Sequence, residues 1–173
     1  MTPSKDNAAW MKTASDVWSA LFDSDGTIVC LVGQRGTGKT QMATAIARRV
    51  YMYYRGHVAK YAHVMDFFLA IRETFNRNDD VGERATLASF IEPTLLVLDE
   101  VQERGGSDWE DRTLAYLIDK RYTSGKHTLL LANIKPADLT ARLGASIVSR
   151  MQETGGVIEC NWPSFRAKAG GAA

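Results

Sequence analysis

The 173-residue sequence lacks the marks of a secreted, membrane-spanning or strongly charged protein. Its two cysteines, Cys30 and Cys160, each sit in an apolar run and form no C-x-x-C, which argues against a disulfide framework and for two buried, reduced, structural thiols. No apolar run approaches the roughly 18 residues of a membrane span. Met1-Thr-Pro-Ser-Lys-Asp6 has no apolar core of a secretory signal, so a cytoplasmic address is expected. Neither sign of charge prevails: 21 basic against 20 acidic residues leave a net charge of +1, so nucleic-acid binding has to come from a local patch. His57, His63 and His127 have no metal-ligand spacing and are assigned no chemistry. The 45% hydrophobic and 24% charged fractions are those of an ordinary globule, and the length leaves no room for a second large domain.

The chain is organised around Thr27-Ile-Val-Cys-Leu-Val-Gly-Gln-Arg-Gly-Thr-Gly-Lys39-Thr40, an apolar run that breaks into a glycine-rich loop. Gly33, Gly38, Lys39 and Thr40 satisfy G-x-x-x-x-G-K-[ST], Gly36 adds a further glycine, and helix-forming residues follow from Gln41 to Val50. A buried strand, a loop and a helix therefore come in the order that phosphate binding needs. Glycines let successive backbone N–H groups of Gln34, Arg35, Gly36 and Thr37 converge on phosphate oxygens, over the positive end of the helix dipole. Lys39 is expected to reach the β- and γ-phosphates of ATP, and Thr40 to ligate Mg²⁺. The bland alternative is a glycine-rich turn, which the flanking strand and helix disfavour.

Before this stretch, Met11, Ala14, Val17, Trp18, Leu21 and Phe22 recur at the spacing of an amphipathic helix; its aromatics read as core, with a place beside an adenine ring as the alternative. After it, a helix from Lys39 to about Arg55 is expected to stop at Gly56, followed by a strand over His57–Val64 and a helix over Asp66–Phe75. Asn76-Arg-Asn-Asp-Asp80 breaks that helix, and Glu83–Phe90 reads as a short helix. Leu95-Leu-Val-Leu98 is the strongest apolar run and reads as a central strand. Ser107-Asp-Trp-Glu110 is a capping box opening a helix with Leu114, Leu117, Ile118 and Tyr122 on one face, ended by Gly125. Thr128–Ala132 is a fourth strand, Pro136 starts a short helix that Gly144 stops, Ile147–Met151 is helical, and Val157–Cys160 is a fifth strand. This alternation predicts an α/β fold with a parallel sheet covered on both faces. The organisation expected is an N-terminal helical segment over 1–26, a nucleotide-binding domain over 27–166 and a disordered tail over 167–173.

Asp99 and Glu100 close the central apolar run, at the strand end where ligands of open α/β sheets collect. This Walker B pattern assigns Asp99 to Mg²⁺ and Glu100 to the attacking water; an exposed acidic turn is the alternative. Asn133 ends the next strand, close to the γ-phosphate if the two strands are neighbours.

With Asp119-Lys-Arg-Tyr-Thr-Ser124, Leu131-Ala-Asn133, Leu143-Gly-Ala-Ser-Ile-Val-Ser-Arg150-Met151 and Trp162-Pro-Ser-Phe-Arg166 added to the two Walker motifs and to Met65–Phe75, the chain from about Asn7 to Ala167 resembles the AAA+ ATPase domain of bacterial replicative helicase loaders, of the DnaC and IstB type. The resemblance implies a P-loop NTPase of AAA+ type, a five-stranded parallel sheet without a separate lid domain, that hydrolyses ATP and assembles as a homo-oligomer on single-stranded DNA. It implies a replicative helicase as partner, although only 26 residues precede Thr27, where such loaders carry a gripping segment. It further implies Asn133 as sensor 1, Arg150 as an arginine finger reaching a neighbouring subunit's nucleotide, and Arg166 as a sensor-2-like arginine. The end of the helix near Phe75, with Arg72 and Arg77, would contact the DNA. Taken alone, Arg150 and Arg166 also read as surface charges, and Phe75 as a core residue. Two other readings stay open: an ATP-gated binding module with little hydrolysis, such as a transposition helper, and a small-molecule kinase, which Glu100 beside Asp99 disfavours.

Overall fold

The structure, a computed structural model, describes residues 5–22, 25–54, 59–75 and 80–166. Five strands, β1 (Ile28–Val32), β2 (Ala59–His63), β3 (Leu95–Asp99), β4 (His127–Ala132) and β5 (Gly156–Glu159), pair in parallel in the order β2-β3-β4-β1-β5. They alternate with α1 (Lys5–Phe22), α2 (Lys39–Tyr54), α3 (Val64–Phe75), α4 (Asp80–Ile91), α5 (Asp108–Thr123), α6 (Leu139–Leu143) and α7 (Ala145–Thr154); a 3₁₀ turn at Pro136–Asp138 leads into α6. The elements expected from the sequence are all present, and Ser107 and Glu110 form the capping box in both directions. The expected stops at Arg55, Gly56 and Asn76–Asp79, and the tail over 167–173, lie outside the described residues.

Parallel pairing needs crossovers, and crossovers cover both faces of a sheet, so the inner strands are expected to be nearly continuous apolar runs. β1, β3 and β4 are buried throughout. Alternate residues serve opposite faces. Ile28, Cys30, Val32, Leu96, Leu98 and Leu130 pack with Phe67, Phe68 and Ile71 of α3, Leu114, Leu117 and Ile118 of α5, and Met151 of α7. Val29, Leu31, Leu95, Val97, Leu129 and Leu131 pack with Val17 and Leu21 of α1 and Met42, Ala43, Ile46 and Val50 of α2. Each buried aliphatic side chain stabilises by about 1.5–3 kcal/mol, and a one-residue slip would exchange the two sets, so burial on both sides fixes the register.

Two polar details matter here. Arg121 of α5 is fully buried, and its guanidinium donates to the carbonyls of Phe90, Ile91, Pro93 and His127 and to Thr128 Oγ1, tying the end of α4 to the starts of β3 and β4. Burial pushes its pKa down to about 9, so it stays charged at neutral pH. Cys30 and Cys160 are free and buried, and burial first of all pushes their thiols up to about 12 and about 11. Met11, at the start of the apolar spacing of α1, is 62% exposed. The apolar stripe of α1 meets the sheet through Val17 and Leu21, whereas its first turns pass the glycine-rich loop, where Trp10 takes the inward position.

Candidate functional site

β1 delivers its C-terminal end to the glycine-rich loop, and three glycines there are required by geometry. Gly33, Gly36 and Gly38 have φ of 136°, 84° and 81°, a region that disfavours side chains. A Cβ on Gly33 would also lie 2.5 Å from the carbonyl oxygen of Cys160, which follows the neighbouring strand β5. Lys39 opens α2, and its Nζ donates to the carbonyls of Gly33 and Gln34, 2.8 Å each. Its side chain is thereby folded back over the loop and nearly buried, and that burial lowers the ammonium pKa against the opposing pull of nearby groups that include Asp99.

β3 lies two strands from β1, with β4 between them, and its end faces the start of α2. Thr40 Oγ1 donates to Asp99 Oδ2 at 2.8 Å, Tyr61 of β2 donates its hydroxyl to the same oxygen at 2.7 Å, and the Glu100 N–H donates to Asp99 Oδ1 at 2.7 Å. Asp99 is thus fixed from α2, from β2 and by the backbone of the residue that follows it. Glu100 has φ 55°, the one positive value at a non-glycine residue among those described. Such a conformation costs on the order of 1–2 kcal/mol and persists only where neighbours impose it. Here they do, since the following Val101 is fully buried and donates its N–H to Leu131 of β4 at 3.1 Å. The strain turns Glu100 out of the strand direction into the cleft. His63 Nδ1 stands 3.6 Å from Glu100 Oε2.

β4 pairs with both β1 and β3 and ends between the two motifs, which puts Asn133 just past the end of a strand that neighbours the one carrying Asp99. Asn133 donates its N–H to Gln102 Oε1 at 3.0 Å, and it lines a cleft of about 480 Å³ with Lys39, Thr40, Asp99, Glu100 and, from the segment after β5, Phe165 and Arg166. Arg35, Gly36 and Gly38 form the loop wall of the cleft. Gln34 faces a second, adjoining cleft, and Thr37 is buried with its hydroxyl on the Gln34 carbonyl. Arg150 does not line the cleft; it lies on α7, ion-paired with Asp119 of α5 and near the Tyr122 ring. Arg72 sits over the Trp109 ring and 3.6 Å from the carboxylate of buried Glu110. The Phe75 side chain and Arg77 lie outside the described residues.

Tyr61, His63, Gln102 and Phe165 were not among the residues singled out for chemistry. Tyr61 and His63 are two apart on β2 and therefore share a face, and the register sets His63 beside Asp99. Only the strand order makes that visible. The oxygen donors Thr40 Oγ1 and Asp99 Oδ2, already in contact beside the lysine, are the hard ligands that suit magnesium.

The chain matches the family described as IstB-like ATP binding protein over residues 5–171. It is 30% identical over 164 residues to the replicative helicase loader DnaC of Escherichia coli strain K12, covering 93% of this chain and 66% of that protein. It is 29% identical over 159 residues to the replicative helicase loader DnaC of Buchnera aphidicola subsp. Baizongia pistaciae, covering 91% and 64% respectively. The chain thus spans just under two thirds of the length of these relatives. Among solved structures, a DnaC helicase loader superposes with a TM-score of 0.74 at 22% identity over 92% of both chains. The replication initiator DnaA bound to AMPPCP and single-stranded DNA superposes with a TM-score of 0.72 at 23% identity, over 86% of this chain and 45% of that one. These likenesses carry the fold, the P-loop α/β architecture of AAA+ type expected from the sequence. With a family match that runs through both Walker motifs and nearly the whole length, this chain belongs to the IstB-like ATP binding proteins.

Proposed function

We propose that this chain binds MgATP in the cleft between β1 and β3 and hydrolyses it to ADP and phosphate, as a helicase-loader-like protein of DNA replication that assembles head to tail on single-stranded DNA. The observation that carries this reading is the convergence of Lys39, Thr40, Asp99, Glu100, Asn133 and Arg166 on one cleft of about 480 Å³, a size suited to a nucleotide. The names of the relatives support the replication setting, a replicative helicase as partner and a cytoplasmic address. The neighbour solved with single-stranded DNA supports the nucleic-acid ligand.

Each side chain then has a task. Lys39 exchanges the Gly33 and Gln34 carbonyls for β- and γ-phosphate oxygens, swapping one set of acceptors for a charged one. Thr40 and Asp99 would hold a magnesium ion, directly or through water, which neutralises charge on the phosphates. Glu100 orients the attacking water and accepts its proton as the new P–O bond forms and the bond from the γ-phosphorus to the β,γ-bridging oxygen breaks. Asn133 directs its amide at the same water or at the γ-phosphate, and Arg166 adds positive charge from the C-terminal side of the cleft. Arg150, outside the cleft of its own subunit, serves the nucleotide of the next one. Arg72, Phe75 and Arg77, at and after the end of α3, form the DNA contact.

A second reading has one observation in its favour. Arg150 is held by Asp119 on a surface away from the cleft, so a lone subunit lacks that charge at its nucleotide, and ATP would act mainly as an assembly clamp. Steady-state ATP hydrolysis with and without single-stranded DNA separates the two. The favoured reading expects turnover that rises with DNA and falls by about 10²–10⁴ in Glu100→Gln while nucleotide binding persists. Tight binding with no turnover under either condition would leave the clamp.

A further inference from the structure

Three successive carbonyls of the glycine-rich loop each accept a hydrogen bond from outside it. The Phe165 N–H donates to Gly36 O at 2.8 Å, Trp162 Nε1 donates to Thr37 O at 2.8 Å, and Trp10 Nε1 donates to Gly38 O at 3.2 Å. The donors come from opposite ends of the chain, Trp10 from α1 and the other two from the segment after β5. They press close: a Cβ on Gly36 would lie 2.0 Å from Ser164 Oγ, and one on Gly38 would lie 2.9 Å from Trp10 Nε1 and 3.3 Å from the Phe165 ring. Trp162 is 8% exposed, and its bond to Thr37 is buried.

In a loop whose N–H groups converge on an anion, the carbonyls point the other way and need partners of their own once buried. An indole offers one donor on a rigid ring, so it fixes a direction as well as satisfying an acceptor. We infer that Trp162, with Trp10 as a weaker second, is a positioning residue for phosphate binding: its indole N–H anchors the outward carbonyl of Thr37 and thereby holds the loop's N–H groups in the inward arrangement. The loop then needs little ordering when phosphates arrive, and affinity gains by that saving. Trp162 outranks Trp10 because Gly38 O also accepts from Met42 N at 2.9 Å, whereas the buried bond at Thr37 O comes from Trp162. Trp162-Pro-Ser-Phe-Arg166 thus serves the site through its first residue as well as its last. The inference rests on the reading that this cleft takes a nucleotide triphosphate.

The test uses the full chain with Trp162→Phe, Trp10→Phe and, as control, Trp18→Phe, a tryptophan on α1 that lies under Arg49 with its ring tilted against Phe22 at 4.3 Å; Phe22 in turn packs on His127 at the start of β4, at the end of the sheet opposite the cleft. Calorimetric titration with MgATP and with tripolyphosphate reads the loop with and without a base. Trp162→Phe is expected to weaken both ligands by the same factor, roughly three- to tenfold, as loss of one neutral hydrogen bond implies. Trp10→Phe should weaken them less, Trp18→Phe not at all, and KM for ATP should rise in Trp162→Phe while kcat stays within about twofold. Wild-type affinity for both ligands in Trp162→Phe overturns the inference, as does a loss confined to MgATP, which would belong to the base. If the wild type binds neither ligand, the nucleotide reading itself falls. Should Trp162→Phe not fold, hydrogen exchange of the indole N–H groups in the unaltered protein decides. By reciprocity, tripolyphosphate must slow exchange at Trp162 and leave Trp18 unchanged, and equal rates at Trp162 with and without it overturn the inference.

Discussion

Arg150 of α7 donates to the carboxylate of Asp119 on α5, with its guanidinium carbon 5.8 Å from the Tyr122 ring centre, while its Nε is buried with no hydrogen-bond partner among the described residues. Both side chains of the pair are partly exposed, 27% and 41%, and ion pairs of that kind are worth only about 0–1 kcal/mol. The pair itself is therefore easily exchanged for a phosphate of another subunit, while the bonds of the guanidinium to the carbonyl and hydroxyl of Ser146 hold the side chain along α7.

This leads to a complementation experiment. Arg150→Ala is expected to bind ATP nearly as the wild type does and to hydrolyse it about 10³–10⁵ more slowly, because a finger of this kind acts on charge that develops during phosphoryl transfer. Mixing Arg150→Ala with Lys39→Ala should restore part of the turnover, since some interfaces then join an intact loop to an intact finger. Co-assembled mixtures that stay inactive would show that Arg150 does not act across the interface.

Glu100 carries a second expectation, about stability rather than rate. Its φ of 55° suits glycine, so Glu100→Gly should be more stable than Glu100→Ala by about 1 kcal/mol in urea unfolding, although both lose the carboxylate. Equal stabilities would mean that the backbone there relaxes without strain.

Arg121→Met should destabilise the fold on the order of 3–5 kcal/mol. The apolar stem is kept, but the buried carbonyls of Phe90 and His127 lose their charged donor, along with those of Ile91 and Pro93. Arg121→Lys should recover only part of this, because one ammonium cannot span the same fork of acceptors. A loss below about 1 kcal/mol in either variant, read from chemical denaturation, would contradict a structural role.

The two Walker motifs and all five strands were legible because each is local: an apolar run of strand length, a glycine pattern, a pair of acids at a strand end. Asn133 was legible up to one condition, that its strand lie beside the others, and β4 sits between β1 and β3. What stayed hidden needed strand order or long-range packing. Tyr61 reads as one more residue of an edge strand until its register against β3 brings its hydroxyl to Asp99. Trp10 could not be told from other helix aromatics, because its partner, Gly38 O, is 28 residues away. Arg121 entered only as one residue of the Asp119–Ser124 stretch that carries the resemblance, with no role of its own, and the meeting of three segments around it explains its burial. Exposed Met11 marks the complementary gap, since helical spacing defines a stripe without saying how far along the helix the core extends.

Isothermal titration of the full chain with MgATP reads in one measurement whether the cleft between β1 and β3 takes a triphosphate held by Lys39. Saturable one-to-one binding by the wild type and loss of tight binding in Lys39→Ala are expected, with the melting temperature of the ligand-free protein little changed. Undiminished affinity in Lys39→Ala would contradict that role of Lys39.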